Sequence, residues 1–213
     1  LTKVYIDYCF ERNPHIKFEI GTEESIYKFN VESLTKLLDF LKKNLSSQQW
    51  NNINFAVIQS GTSLKENQNT GNYDKDRLKT MIDVCKSYGL LSKEHNGDYL
   101  PKELLQEKFS LGLNAVNIAP EFGQLETQLY LNEIKNTPLF DIYFDICYNS
   151  HRWDKWVDEQ FDPFPNKEKL INICGHYVLS TPYFITQIKA KVRPDIDLII
   201  KKEMIKKLER LYS

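Results

Sequence analysis

Leu90-Leu91-Ser92-Lys93-Glu94-His95-Asn96-Gly97-Asp98-Tyr99 passes from apolar to ionisable side chains within a few residues. A short apolar run bounded by a turn signal, here Tyr88-Gly89, reads as a buried strand that begins over Leu90 to Lys93. The polar cluster then stands at the C-terminal end of that strand, where parallel α/β proteins gather their chemistry. Whether this strand belongs to such a sheet is decided by the sequence on either side.

Upstream, Leu78, Met81, Ile82 and Cys85 mark one face of a helix over 74–88, and Gly89 fits its C-terminal stop. Ile53 to Ile58 predicts a strand before it. Leu34, Leu37, Leu38, Leu41 and Leu45 predict an amphipathic helix with Lys36, Lys42 and Lys43 outside. His15 to Ile20 alternates with period two until Gly21, another strand, and Val4, Tyr5, Tyr8 and Cys9 form the tail of a helix stopped by Asn13-Pro14. Downstream, Pro101 to Lys108 predicts a helix begun by proline, and Asn114 to Ile118 a fourth strand. Strands alternating with helices imply parallel βα units. After Pro138 the text becomes aromatic-rich and helical, with Trp153, Trp156, Phe161 and Phe164 punctuated by Pro163 and Pro165. A final helix over 195–211 carries Ile196, Ile199, Ile200, Met204, Leu208 and Leu211, and its lysines read as a solvated face. The expected domains are an α/β part over 1–137 and a helical extension over 138–213.

The chain has 213 residues with 28 basic and 29 acidic side chains and a net charge of -1, which gives no global case for nucleic acid or an anionic membrane. Cys9, Cys85, Cys147 and Cys174 stand apart with no CxxC pair, as expected of reduced thiols in a cytoplasmic protein rather than a zinc finger. No apolar run approaches the roughly 18 residues of a membrane helix, and no signal-peptide pattern opens the chain. It starts at Leu1 in what reads as the middle of an element, so we expect it to begin inside a longer polypeptide.

Each predicted strand runs into a polar loop: Glu19 to Glu24, Gln59 to Ser63, Lys93 to Tyr99, and Asn117 to Gly123. In a parallel sheet such loops converge, although solvated loops are polar in any case. His95 is the strongest single residue, since a neutral imidazole binds divalent metals or moves protons near neutral pH. A structural, hydrogen-bonded histidine is the alternative. As a ligand it would need companions, for which Glu19, Glu23, Glu94 and Asp98 are local candidates and Gln59 a weaker one. No spacing matches a metal signature such as HExxH. The long polar loop from Ser60 to Tyr73 suits a lid or binding loop, and Gly61, Thr62 and Ser63, with Lys65 or Lys93, could face a phosphate; a flexible turn explains the same residues.

Together Phe18-Glu-Ile-Gly-Thr-Glu-Glu24, Ile58-Gln-Ser-Gly-Thr62, Lys93-Glu-His-Asn-Gly-Asp-Tyr-Leu100 and Asn117-Ile-Ala-Pro-Glu-Phe-Gly123 resemble, in order, the non-catalytic or Z-type subunit of class II tagatose-bisphosphate aldolase, a family also labelled tagatose-6-phosphate kinase. The resemblance is good over 4–135, fades through the aromatic segment and returns loosely at Thr181 to Phe184. It implies a TIM-barrel type (β/α)8 fold of about twice this length, of which this chain is the C-terminal half barrel. It places His95 where the seventh strand of the catalytic aldolases supplies a metal-binding histidine, and Gln59 near where the sixth supplies another. The expectations are a divalent metal, zinc for instance, at His95 and Glu19, and Glu94 or Asp98 as acid or base. Gln59, Gly61, Thr62, Lys93, Asn96, Gly97, Asn117 and Glu121 would contact a ketohexose phosphate. The expected partner is a catalytic aldolase subunit or a second copy. A ketohexose-phosphate 4-epimerase and a non-enzymatic scaffold are the rival readings. The kinase label finds no GxxxxGK[ST] motif.

Overall fold

The computed structural model describes residues 1–21, 30–65 and 68–212. The chain divides into two compact units, Leu1–Leu64 with Asn69–Asn117, and Lys65–Gln68 with Ile118–Ser213. The 137/138 boundary expected from composition falls within the second.

In the first unit α1 (Thr2–Arg12) leads to β1 (Phe18–Ile20), α2 (Val31–Asn44), the single turn α3 (Ser47–Trp50) and β2 (Ile53–Ile58). The two-residue strands β3 (Leu64–Lys65) and β4 (Gln68–Asn69) pair with each other, followed by α4 (Lys75–Ser87), β5 (Leu91–Glu94), α5 (Lys102–Ser110) and β6 (Ala115–Val116). The main sheet has the order β1-β2-β5-β6, parallel throughout. Thus the parallel α/β expectation holds for four strands among the described residues, and closure into a barrel is not shown.

Local chemistry fixes the helices. The Asn30 side chain accepts the Ser33 N–H at the start of α2, with Glu32 in the first turn and Lys42 and Lys43 in the last, each sign matched to the helix dipole. Asp74 caps α4 in the same way, and Gly89 (φ 75°) follows its end. Leu34, Leu38 and Leu41 from α2 and Leu78, Met81 and Ile82 from α4 join Ile20, Ala56 and Ile58 of the sheet in one core. Burial pushes the Cys85 thiol in this core up to about 12.

Two strands are shorter than their sequence patterns, and asparagine side chains share the pairing at their N-terminal ends. Asn52 donates to the Pro14 carbonyl at 2.7 Å and accepts Lys17 Nζ at 2.9 Å, so 14–17 is tied by a side chain and the ladder begins at Phe18. Asn114 Oδ1 accepts the Ser92 N–H at 2.9 Å, doing the work of a backbone carbonyl one position before β6.

The second unit is helical: α6 (Pro120–Ile134), α7 (Leu139–Asn149), α8 (Lys167–Cys174), α9 (Pro182–Gln187) and α10 (Ile196–Tyr212). Its core is aromatic, with the Phe184 ring 5.0 Å from both Tyr130 and Tyr143 and with Leu170, Ile171, Cys147 and Cys174 around them. No helix among the described residues is long and apolar enough to cross a membrane.

Candidate functional site

Successive strand residues point to opposite faces, and β5 uses this to split the polar cluster in two. Lys93 and His95 share a face with Glu19 of β1 and Phe55 of β2. Lys93 Nζ donates to Glu19 Oε2 at 2.5 Å and lies 6.0 Å from the Phe55 ring centroid, and His95 Nε2 is 3.5 Å from Glu19 Oε1. The register Glu19↔Phe55 and Phe55↔Leu91 carries this face across three strands, and Leu91 on it is 45% exposed. All three polar side chains remain in partial contact with solvent.

Glu94, expected to act as acid or base, lies on the other face at 1% exposure. Its Oε2 accepts Lys108 Nζ of α5 at 2.5 Å, and its Oε1 accepts the Ser60 N–H at 2.7 Å, the Ser60 hydroxyl, and Thr62 Oγ1 at 3.4 Å. Lys108, 0% exposed, also donates to Ser60 Oγ at 2.8 Å and sits 4.6 Å over the Tyr73 ring. Desolvation holds its ammonium below the ordinary lysine range, with Glu94 opposing that shift. The Tyr73 hydroxyl, pushed up to about 12 by burial and then by Glu107, lies 3.4 Å from the Glu107 carboxylate.

Between these two groups runs a turn of unusual backbone. Asn96 (φ 61°) and Tyr99 (φ 58°) both occupy the left-handed region, which costs non-glycine residues about 1 kcal/mol or more each. The surroundings over-determine it. Asn69 Nδ2 donates to the carbonyls of Asn96 (2.9 Å) and Asp98 (3.1 Å), Asn96 Nδ2 to that of Thr62 (3.4 Å), and the Gly97 N–H to that of Asn117 (2.9 Å). Asp98, Gln59, Gly61 and Thr62 are buried beside these strand ends. Gly61 (φ 100°) is obligatory, because a Cβ there would stand 2.1 Å from the Asn72 carbonyl oxygen.

The structure therefore brings Glu19, Lys93 and His95 together on one face and Glu94 with Thr62 on the other, and ties Gly97 to Asn117. Glu121 belongs to the second unit, where it is buried in the first turn of α6 and pairs with Lys207 of α10. Glu23 lies outside the described residues, as does the side chain of Lys65. A cavity of about 240 Å³ opens beside Glu19, lined chiefly by Tyr5, Ile6, Cys9, Phe18 and Ile20. Lys108, Ser60 and Asn69 are the participants that sequence reasoning misses. The one available signal is that Lys108 falls three residues after Leu105, on the stripe α5 buries.

The metal expectation meets two donors, Glu19 and His95, and Lys93 already occupies the second oxygen of Glu19. Among the described residues no group of three or more His, Cys, Asp or Glu side chains could hold a metal ion. Among the described residues, the two donors on this face fall short of the four or more ligands a divalent cation takes, and the adjacent Lys93 ammonium opposes one.

No protein-family model matches the chain, and no curated protein matches it in sequence. Solved structures do resemble it. A probable tagatose 6 phosphate kinase from Sinorhizobium meliloti 1021 superposes with TM-score 0.63 at 15% identity, over 81% of this chain and 48% of that one. The glycerol complex of fructuronate-tagaturonate epimerase UxaE from Cohnella laeviribosi gives TM-score 0.63 at 14% identity, over 97% of this chain and 49% of that one. The chain thus spans about half the length of the proteins it matches, and at such identities the likeness is one of fold: a parallel α/β sheet flanked by helices, as in TIM-barrel-like enzymes.

Proposed function

We propose that this chain is half of a class II aldolase-like (β/α)8 barrel that binds a ketohexose with an anionic end, a phosphate or a carboxylate, through Glu19, Lys93 and His95. The observation that carries this reading is the convergence of those side chains on one sheet face at the strand ends, 2.5 and 3.5 Å apart around a single carboxylate. The chemistry is complementary to a ketose. Glu19 accepts sugar hydroxyls, Lys93 donates to the keto oxygen, and the His95 ring nitrogens can donate or accept a hydrogen bond. Asn96 and Asn117 at neighbouring strand ends supply further hydrogen bonds, with Gly97 allowing close approach of the anionic end.

Within this reading the chain acts as a supporting subunit of a tagatose-bisphosphate aldolase, the catalytic centre then belonging to the partner. A second reading, epimerisation at C4 of such a ketose, is favoured by the extent of the epimerase likeness, 97% of the chain. A non-enzymatic scaffold is the reading from another class.

Titration calorimetry on the natural full-length protein, with tagatose 6-phosphate, tagatose 1,6-bisphosphate and tagaturonate in turn, tests the proposal. We expect saturable binding of at least one of them, weakened about tenfold or more by Lys93→Met or Glu19→Gln, each of which removes a charge-assisted hydrogen bond. Absence of binding for all three, or full affinity in both variants, overturns it. Activity assays with the same sugars then separate epimerase from supporting subunit.

A further inference from the structure

We infer that Lys108 is a positioning residue for this site: from beneath the sheet it pins Glu94 and Ser60, and so presets the Asn96 turn and the placement of His95 opposite Glu19. The location of the site rests on the reading above, whereas the positioning role concerns geometry and holds whichever ligand the site takes.

A lysine with no solvent contact is rare and has to be held by a charge partner and hydrogen bonds. Here one ammonium joins three segments that are distant in sequence. It comes from α5, its carboxylate partner is the last residue of β5, and its hydroxyl partner is the second residue after β2. Ser60 is bound twice over, since its own N–H and hydroxyl both donate to Glu94. The loop after β2 and the end of β5 are therefore locked together at one point.

Strand alternation carries the lock to the open face. With the Glu94 side chain fixed toward α5, its neighbours Lys93 and His95 must project the opposite way, toward Glu19. Backbone bonds carry it forward: the Asn117 N–H donates to the Glu94 carbonyl at 2.8 Å and the Gly97 N–H to the Asn117 carbonyl at 2.9 Å. Residues 95 and 96 are thereby held between a pinned residue and a bonded one. Asn96 keeps a positive φ across this short span, a conformation that persists only where the surroundings over-determine it. The same lock places the Thr62 carbonyl within reach of Asn96 Nδ2 at 3.4 Å. An ordinary stabilising ion pair need not sit where it sets both the direction of the next side chain and the handedness of the next turn.

The test compares Lys108→Met, the double variant Glu94→Gln/Lys108→Met, and Ser60→Ala in the natural full-length protein. The double variant leaves no buried charge without a partner, and Ser60→Ala keeps both charges paired. The readouts are the ring-nitrogen NMR signals of His95, assigned by loss in His95→Gln, the amide exchange of Gly97, and the exchange of α4 core amides as the measure of global stability. Positioning predicts that in the double variant α4 exchange stays within a few-fold of the parent, while Gly97 exchange rises by about tenfold or more and the His95 signals move. Ser60→Ala should move the same signals in the same direction by less. A folded double variant in which His95 and Gly97 are unchanged overturns the inference, as does one in which Gly97 and α4 accelerate by the same factor. If neither charge variant folds, Ser60→Ala decides alone, and unchanged His95 and Gly97 signals there overturn it.

Discussion

Lys108 and Glu94 are stable inside the fold because each neutralises the other and the remaining hydrogen-bonding capacity goes to Ser60, Thr62 and the face of Tyr73. Lys108→Met alone leaves a carboxylate buried with hydroxyl and amide donors only. We expect a loss of about 3–5 kcal/mol in urea unfolding, of which the added Glu94→Gln should restore more than half. His176 is the residue whose environment speaks to pH. Burial, then Lys155, pushes its imidazole down to about 4 from 6.5. A depressed histidine means that the unfolded chain binds the proton more tightly, so this contribution is complete above pH 6.5 and is lost as pH falls toward 4. The full shift would correspond to about 3 kcal/mol, which partial solvent contact reduces to roughly 1–2. His176→Gln should flatten the slope of stability against pH between 4 and 6.5, measured by urea unfolding across that range. An unchanged slope would show that another group is responsible.

At the scale of elements, what holds the strand ends is turn geometry. Gly61→Ala would bring a Cβ against the Asn72 carbonyl in a left-handed conformation, and we expect about 2–4 kcal/mol of destabilisation by thermal or urea unfolding. Asn96→Gly relaxes the backbone but loses the bond to Thr62, so it should cost less than about 1 kcal/mol, whereas Asn96→Val should cost about 2. These turns explain which parts of the fold can be read from sequence. The helices α2 and α4 are legible because an apolar stripe, a capping asparagine or aspartate and a basic or glycine end all agree within one segment. The ends of β1 and β6 are not, because there Asn52 and Asn114 add side-chain bonds that have no periodic signature. The face of the site is half legible. The alternation of β5 separates Lys93 and His95 from Glu94, but only the contact with α5 shows which set is buried. Lys108 escapes because a lysine on a helix ordinarily reads as a solvated face, and its meaning depends on a carboxylate on another element.

For the molecule as a whole the decisive feature among the described residues is a sheet that ends in two edge strands. In the matched structures this chain corresponds to 48% and 49% of the length, and among the described residues β1 and β6 each pair on one side only. The face that would line a barrel shows Leu91 at 45% exposure beside Phe55, an apolar surface next to strand edges. Unpaired edges and exposed apolar patches both drive association, and the near-zero net charge of -1 supplies little repulsion to oppose it. A polypeptide of these 213 residues alone should therefore elute well above its 25.1 kDa in size-exclusion chromatography with light scattering at tens of micromolar, about 10–100 µM. Leu91→Lys should shift that distribution toward monomer, because it puts a charge on the associating face without touching the core. Four further parallel βα units supplied in trans should do the same by occupying the edges. A clean monomer across that range, with Leu91→Lys indistinguishable from the parent, would mean that this face does not drive association and that the half-barrel reading needs another geometry.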